Sequence, residues 1–599
     1  MLGSLIGALF FGAFFGFALA NPTYTDWIFN RVTHDTAQHF IGWEFFRADS
    51  TGAMINGLAY PIGLPITFMD GIPLIALPLK LISGWLPANF QYFGLWALIC
   101  YILQGGIAAV LVRKIWQKIY VDNQLPARLS KNGKSVSEET RNDGLDERRR
   151  KFDWKRLLFV SAGALIFILS PIMIARTLYH PALAAQWLVL LGILLIWNAP
   201  KFKCWWKFVV IWSATLVGAV LIHPYFLPML GAMMLVAALR NVAKFDLKIV
   251  TKTLMQIAIP VVLAGIVFWV IGGFALGSGA EIRDLEDKGF NLLSFMVSGG
   301  YSITPSIPPR SYSPESLMWF GLGVWAMIIS AVILWRGRYK KSFQGFRAKF
   351  VANKTRNILI AIVAFGLFIF AVGPRVDFGP ITLFQYPVPD KIYELWSAFR
   401  AAAREAWPFY YAAILAIIYW FALVISNRKF KKITKKNVVA VIAISLAVIS
   451  LIQFIDIWWS PAVTVRREGF AEIQNVSQPQ FIAPEISDLI TTQKHMIILD
   501  SGFRGDHSGF YELAQAALKN ELTMNIGFFA RVPEQIFAEQ KIWRERIQCV
   551  HDHSLFEENI FVTTDDELAY NINFNPESSC LSMRVVKRDR FYFITKGAE

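Results

Sequence analysis

Cysteine is scarce: four residues in a chain of 599 are too few for a disulfide scaffold. Cys100 and Cys204 lie in or beside apolar runs, while Cys549 and Cys580 share a polar region and can pair if that region is outside the cytosol. No HExxH, CxxC or GxSxG motif occurs, and the glycines of GFNLLSFMVSGGYSITPSIPPRSY lack P-loop spacing. Metalloprotease, P-loop ATPase and serine-hydrolase chemistry therefore find no support, and no zinc site is read. No internal repeat of about 20–50 residues and no collagenous or Gln-rich tract is found.

What is present is hydrocarbon. Apolar residues make up 55% of the chain, with 49 Phe, 21 Trp and a mean hydropathy of +0.43, which excludes a soluble multidomain protein of ordinary composition. Eleven membrane spans are expected, at 2–20, 90–112, 157–175, 182–197, 208–222, 226–239, 253–275, 317–335, 357–372, 410–426 and 437–455. The first ends in ALA before Asn21 like a processed signal, but it lacks a basic n-region and is expected to stay as a helix. With Met1 inside, the inward loops hold 34 of the 59 Lys and Arg residues. That asymmetry predicts an inward amino terminus and an outward carboxy terminus, and it accounts for most of the net charge of +16 without a nucleic-acid partner.

The expected fold is mainly α: a polytopic helical domain over 1–456 and a small extracytoplasmic α/β domain over 457–599. The inward loop 113–156, with KNGKSVSEETRNDGLDERRRK, reads as a solvated linker. In the tail, HMIILD and MNIGFFAR read as strands, GFYELAQAALKN and PEQIFAEQKIWRERI as helices, and CLSMRVVKRDRFYFITK as a hairpin.

The outward stretch 21–88 is amphipathic and carries carboxylates. Asp35, His39 and Trp43 share one helical face, and Glu44 and Arg47 share another. Asp70 precedes the amphipathic GIPLIALPLKLI; both aspartates also suit caps of the helices that follow them. Arg176 and His180 stand four apart at the outer end of the third span, and His223 ends the fifth in IHPYF; each is a candidate ligand or a membrane-interface anchor. The loop 278–315 offers Arg310 and Tyr312. In KIYELWSAFRAAAREAWPFYY the spacing predicts Arg400 and Arg404 on one helix face, a suitable fork for phosphate or for a lipid headgroup.

A first helix, an outward loop with an acidic residue heading a juxtamembrane helix, many spans and a terminal outward domain together resemble the GT-C superfamily of membrane glycosyltransferases. The chain is similar in particular to a largely uncharacterised bacterial family of that type. The matching blocks are HDTAQHFIGWEFFR, FMDGIPLIALPLK, FQYFGLWALICYILQG, ARTLYHPALAAQW, HPYFLPM, the NLLSFM loop, WSAFRAAAREAWPFYY and MNIGFFAR, which reach from His34 to Arg531.

The resemblance implies transfer of a sugar from a polyprenyl-phosphate donor to a glycan, lipid or protein acceptor at the outer face of the bacterial cytoplasmic membrane. Asp35 corresponds to the superfamily's first-loop acid and would be the general base, with Asp70 or Glu44 as second carboxylate. Arg400 and Arg404 would receive the phosphate, with Arg176 or Arg310 as a further candidate, and His34, His39, Arg47, His180 and His223 would line the substrate. Where many superfamily members carry adjacent acidic residues, Asp35 is flanked by His34 and Thr36. No metal ligand set is assigned and no cofactor is certain; a divalent cation is possible but not indicated. A lipid-linked saccharide flippase and a non-catalytic envelope assembly factor are the competing readings.

Overall fold

In a computed structural model the described residues are 1–599 except 30–33, 50–51, 133–152, 200–203, 241, 243–245, 276–285, 307–312, 336–353, 428–434, 476–482, 501–506, 530–533, 549, 551–553, 575–582 and 598–599. The chain is a mainly α, multi-spanning membrane protein with a small C-terminal mixed α/β region. The Cys549–Cys580 pairing and Arg310 fall outside the described residues, as does the side chain of His34.

Among the described residues seven helices, not eleven, are long and apolar enough to cross a bilayer: Phe93–Ile119, Pro181–Asn198, Trp205–Ile222, Leu247–Val270, Lys354–Val372, Ala402–Ser426 and Asn437–Trp458. Backbone breaks account for two of the others. The first helix stops at Phe14, and Gly16, at φ 87°, turns the chain into a short 3-10 segment at Phe17–Ala20. The helix Trp154–Ile168 ends before Pro171, which opens a new helix at Pro171–Arg176. Phe226–Arg240 and Leu322–Trp335 are apolar but short. The start of the expected linker at 113–156 is also helical, because Phe93–Asn132 runs on through it, with Ile115, Trp116 and Ile119 buried.

In the most apolar 18-residue stretches of Leu247–Val270 and Lys354–Val372 only 17% and 11% of the residues are buried, and uncovered side chains there are apolar, such as Val262, Ile266, Ile362 and Phe365. Those faces suit acyl chains, whereas a water-facing helix would carry a polar stripe.

The stretch 21–88 folds around the helix His34–Ala48. Trp43 is fully buried, and its indole donates to the Phe90 carbonyl at 2.9 Å. Two short strands, β1 (Met54–Ile55) and β2 (Leu64–Pro65), pair beside it, and the helix Pro73–Leu81 follows. Strands β3 (Arg375–Phe378) and β4 (Ile381–Gln385) form a second antiparallel pair.

The tail builds a five-stranded sheet from β5 (His495–Ile498), β6 (Thr523–Met524), β7 (Asn559–Thr563), β8 (Met583–Arg588) and β9 (Phe591–Lys596), in the order β6-β5-β7-β9-β8. The first three are parallel, and the β8–β9 hairpin continues the sheet antiparallel. Alternation along β5 sends Met496 and Ile498 into the core shared with the membrane domain, and Ile497 and Leu499 into a second core with Phe561 and Ile594. Of the expected strand MNIGFFAR only Met524 lies in a strand among the described residues: it closes β6, which pairs with β5 at Thr523 and Met524.

Candidate active site

Three loops bring chemistry to one end of the helical bundle. In the first, the helix His34–Ala48 places Asp35 in its opening turn and the buried His39 one turn on. In the second, Ile66–Met69 ends at Asp70, whose φ of 49° lies in the left-handed region, as does that of Ile72 at 50°. A β-branched residue there is strained, which marks a conformation held by its surroundings. Asp70 does not cap the helix Pro73–Leu81, because the N-cap position belongs to Ile72. In the third, Leu178 at φ 57° turns the chain between Arg176 and His180, and its carbonyl accepts from the buried Thr36 hydroxyl at 2.8 Å.

The side chains meet in two linked groups. His180 Nε2 lies 3.2 Å from Asp35 Oδ2, and His223 Nε2 lies 3.1 Å from Asp70 Oδ1. His223 Nδ1 accepts from the Tyr225 amide at 3.2 Å, so its Nε2 carries the proton donated to Asp70. His39 Nδ1 lies 2.8 Å from the Met69 carbonyl. Ligand-type atoms of His39, Asp70 and His180 fall within 4.8 Å of one another. The sequence reading found no metal site because the usual local spacings are absent, whereas these residues come from three separate segments.

In the second group Glu315 sits between two guanidiniums. Arg404 donates from Nε at 2.6 Å and from Nη2 at 2.9 Å; Arg176 donates from Nη2 at 2.7 Å and from Nη1 at 3.3 Å. Arg404 also lies over the Tyr225 ring, 4.6 Å from its centroid.

Electrostatics ties the groups together. Burial raises the Asp35 carboxyl above its ordinary range, with His39 opposing and Asp70 adding to the rise. Burial alone would raise Asp70, yet His223 holds it well below the ordinary range. Burial lowers His180, and the charges of Arg176 and Arg404 lower it further, so it is a neutral imidazole at neutral pH. Glu315 is held well below the usual carboxylate range, against the penalty of burial, by Arg404 and Arg176. A carboxylate of raised basicity thus lies within electrostatic reach of the buried Arg176 guanidinium, which shares Glu315 with Arg404.

Asp35, His39, Asp70, Arg176, His180, His223 and Arg404 accordingly belong to one constellation. Arg400 and Arg404 do not share a helix face: the helix Asp390–Ser397 ends first, Arg400 is exposed on the following turn, and Arg404 is buried in a 3-10 turn at Ala402–Ala406. Glu44 and Arg47 pair with each other at 3.5 Å, and Arg47 donates to the carbonyls of Ser83, Leu86, Pro87 and Ala88, a loop-fastening role. Sequence reasoning missed Glu315, Tyr225 and Arg466, whose guanidinium lies over Tyr179 and donates to the Ile174 and Ala175 carbonyls. Only a lone carboxylate before an apolar run, in SPESL, could have pointed to Glu315.

No curated protein matches the chain. The profile described as Domain of unknown function (DUF6311) matches residues 4–458, well over half of its length, and the chain therefore belongs to the DUF6311 family.

Proposed function

We propose that this protein is a membrane glycosyltransferase that moves a sugar from a polyprenyl-phosphate donor to a hydroxyl of a glycan, lipid or protein acceptor at the outer face of the bacterial cytoplasmic membrane. The observation that carries the reading is the meeting of a raised-pKa carboxylate, Asp35, with the buried Arg176–Glu315–Arg404 cluster at one end of the membrane helices. The first supplies a base and the second recognises phosphate.

The acceptor oxygen attacks the anomeric carbon, and its proton passes to the Asp35 carboxylate. The bond from that carbon to the phosphate oxygen breaks, and the lipid phosphate leaves with the electron pair. Negative charge on Asp35 and Asp70 favours the oxocarbenium-like state between the two. Arg176 Nε, buried and without a partner among the described residues, is a donor still available to the departing phosphate. His180 orients Asp35 through the 3.2 Å contact.

A flippase calls for charges midway along several spans. In the seven long helices the charges stand toward the ends, as Lys207, Lys248, Arg356, Arg404 and Asp456 do, which favours chemistry at a surface.

The test is analysis of cell-surface glycans and lipid-linked sugars in a deletion strain complemented with the parent or with Asp35→Asn. Loss of one glycan and build-up of its lipid-linked donor are expected in both the deletion and the D35N strain. An unchanged profile in the deletion strain would overturn the reading, and full complementation by D35N would overturn the role of Asp35.

A further inference from the structure

The hydrogen bonds around His39, Asp70 and His180 determine which of their atoms are bare. His39 is almost fully buried at 1% exposure, and its Nδ1 contacts the Met69 carbonyl, an acceptor that requires the proton on Nδ1. Nε2 then carries a lone pair, and it is buried with no partner among the described residues. His180 is the mirror case. Its Nε2 faces the Asp35 carboxylate and donates to it, which leaves Nδ1 as the lone-pair nitrogen, again buried without a partner. Asp70 receives the proton of His223 on Oδ1, and Oδ2 keeps its own acceptor capacity.

One ring nitrogen from each of His39 and His180 and a carboxylate oxygen of Asp70 lie within 4.8 Å of one another, and each imidazole has a buried lone-pair nitrogen with no donor among the described residues. An unmet lone pair in a buried site is costly, and two in one cluster are costlier. The two imidazole rings stand 6.4 Å apart between centroids, so neither nitrogen satisfies the other.

We propose that His39 Nε2, His180 Nδ1 and the Asp70 carboxylate bind one divalent transition-metal ion of the zinc and manganese class. Each ligand has the outer partner such sites use: a backbone carbonyl on His39, a carboxylate on His180 and an imidazole on Asp70. Two nitrogen donors disfavour magnesium and calcium, which select oxygen cages. Three protein ligands leave further coordination positions for substrate or water, the pattern of a catalytic rather than a structural ion. A tetrahedral ion about 2.1 Å from each ligand needs them about 3.4 Å apart, which small side-chain rotations supply.

Charge argues in the same direction. Asp35, Asp70 and Glu315 set three negative charges against the two of Arg176 and Arg404, a net of −1 that repels a phosphate; a divalent ion turns it to +1. The inference deepens the transferase reading and rests on it for the ion's purpose, but occupancy is measurable without turnover.

The full-length protein in detergent, stripped with EDTA and titrated with Zn²⁺ or Co²⁺, is expected to take up one equivalent, with Co²⁺ developing visible absorption bands. H39Q, H180Q and D70N should each weaken binding at least 100-fold. H223Q, which removes an outer partner, should weaken it about 10- to 100-fold, and E545Q, at an exposed carboxylate on the tail helix Glu534–Gln548, should leave it unchanged. Millimolar Mg²⁺ should not displace the ion. If a ligand variant does not fold, X-ray absorption on the metal-loaded parent decides, with two imidazole donors expected. Uptake well below one equivalent by the parent, parent-like affinity in both His variants, displacement by Mg²⁺, or a spectrum without imidazole would each overturn the proposal. Failed uptake with intact sugar transfer discards the ion alone, whereas full uptake with no transfer in the deletion-strain test discards the transferase reading alone.

Discussion

At the scale of single residues, buried charge is the dominant expense, and two positions make it measurable. Burial raises the Glu44 carboxyl to about 7, with Arg47 only partly opposing. A carboxyl raised in the fold stabilises it most below the ordinary value near 4.5, and that contribution is lost as pH climbs through 7. Glu44→Gln, which mimics the protonated form, should therefore stabilise the protein above pH 7 by on the order of 2 kcal/mol after allowance for solvent screening. The gain should shrink as pH falls and vanish below about pH 4, under the ordinary value, as read by melting in detergent across pH. Glu315 has the opposite character, an ionised carboxylate between two guanidiniums. Glu315→Gln leaves Arg176 and Arg404 facing each other and should cost about 3–5 kcal/mol. Inorganic phosphate should restore part of the lost melting temperature, whereas a melting temperature indifferent to phosphate would speak against anion recognition by this pair. Asp35, His180 and Arg404 were legible in the sequence because a charged group beside an apolar run is conspicuous. Glu315 and the bare nitrogens of His39 and His180 were not, because their meaning arises only from partners in other segments.

At the scale of elements, the helices were legible as hydrocarbon, but their ends were not. A hydropathy run does not reveal that Gly16 leaves the helical region or that Pro171 restarts a helix, so spans at 2–20 and 157–175 looked continuous. The close packing of the first helix was equally hidden. A Cβ on Gly3 would stand 2.2 Å from the Gly105 carbonyl oxygen, one on Gly105 2.1 Å from that of Gly3, and one on Gly7 2.0 Å from that of Tyr101. These are backbone atoms with no side chain to swing away, so Leu2–Phe14 and Phe93–Asn132 touch main chain to main chain. Gly105→Ala should force the two helices apart and destabilise the protein by about 2 kcal/mol. A melting temperature equal to that of the parent would show that the pair can separate freely.

At the scale of the whole molecule, the tail is attached to the loop between the first two apolar helices, which bears part of the site. The alternation of strands and helices announced an α/β unit, but nothing in it announced where the unit would dock. Strand β6 is an open edge of the sheet, and the stretch from Gly57 to Tyr60 lies along it. The Met524 amide donates to the Gly57 carbonyl at 2.8 Å, and the Tyr60 amide donates to the Met524 carbonyl at 2.9 Å. Tyr60 stacks on His495 with centroids 3.8 Å apart, and Tyr511 of the tail lies close enough to Asp35 for that charge to raise its phenol, after burial. An edge closed in this way is protected from pairing with another chain, and the loop gains a rigid support. Met524→Pro removes the amide that reaches Gly57 while keeping an apolar side chain. It should loosen 57–60 without unfolding the membrane helices. Hydrogen exchange should rise at Ala59 and Tyr60, and the proposed sugar transfer should fall with it, while exchange in Phe93–Ile119 stays at the parent level. Unchanged protection at Tyr60 would mean that the tail is held by its side chains, with the strand pairing adding nothing.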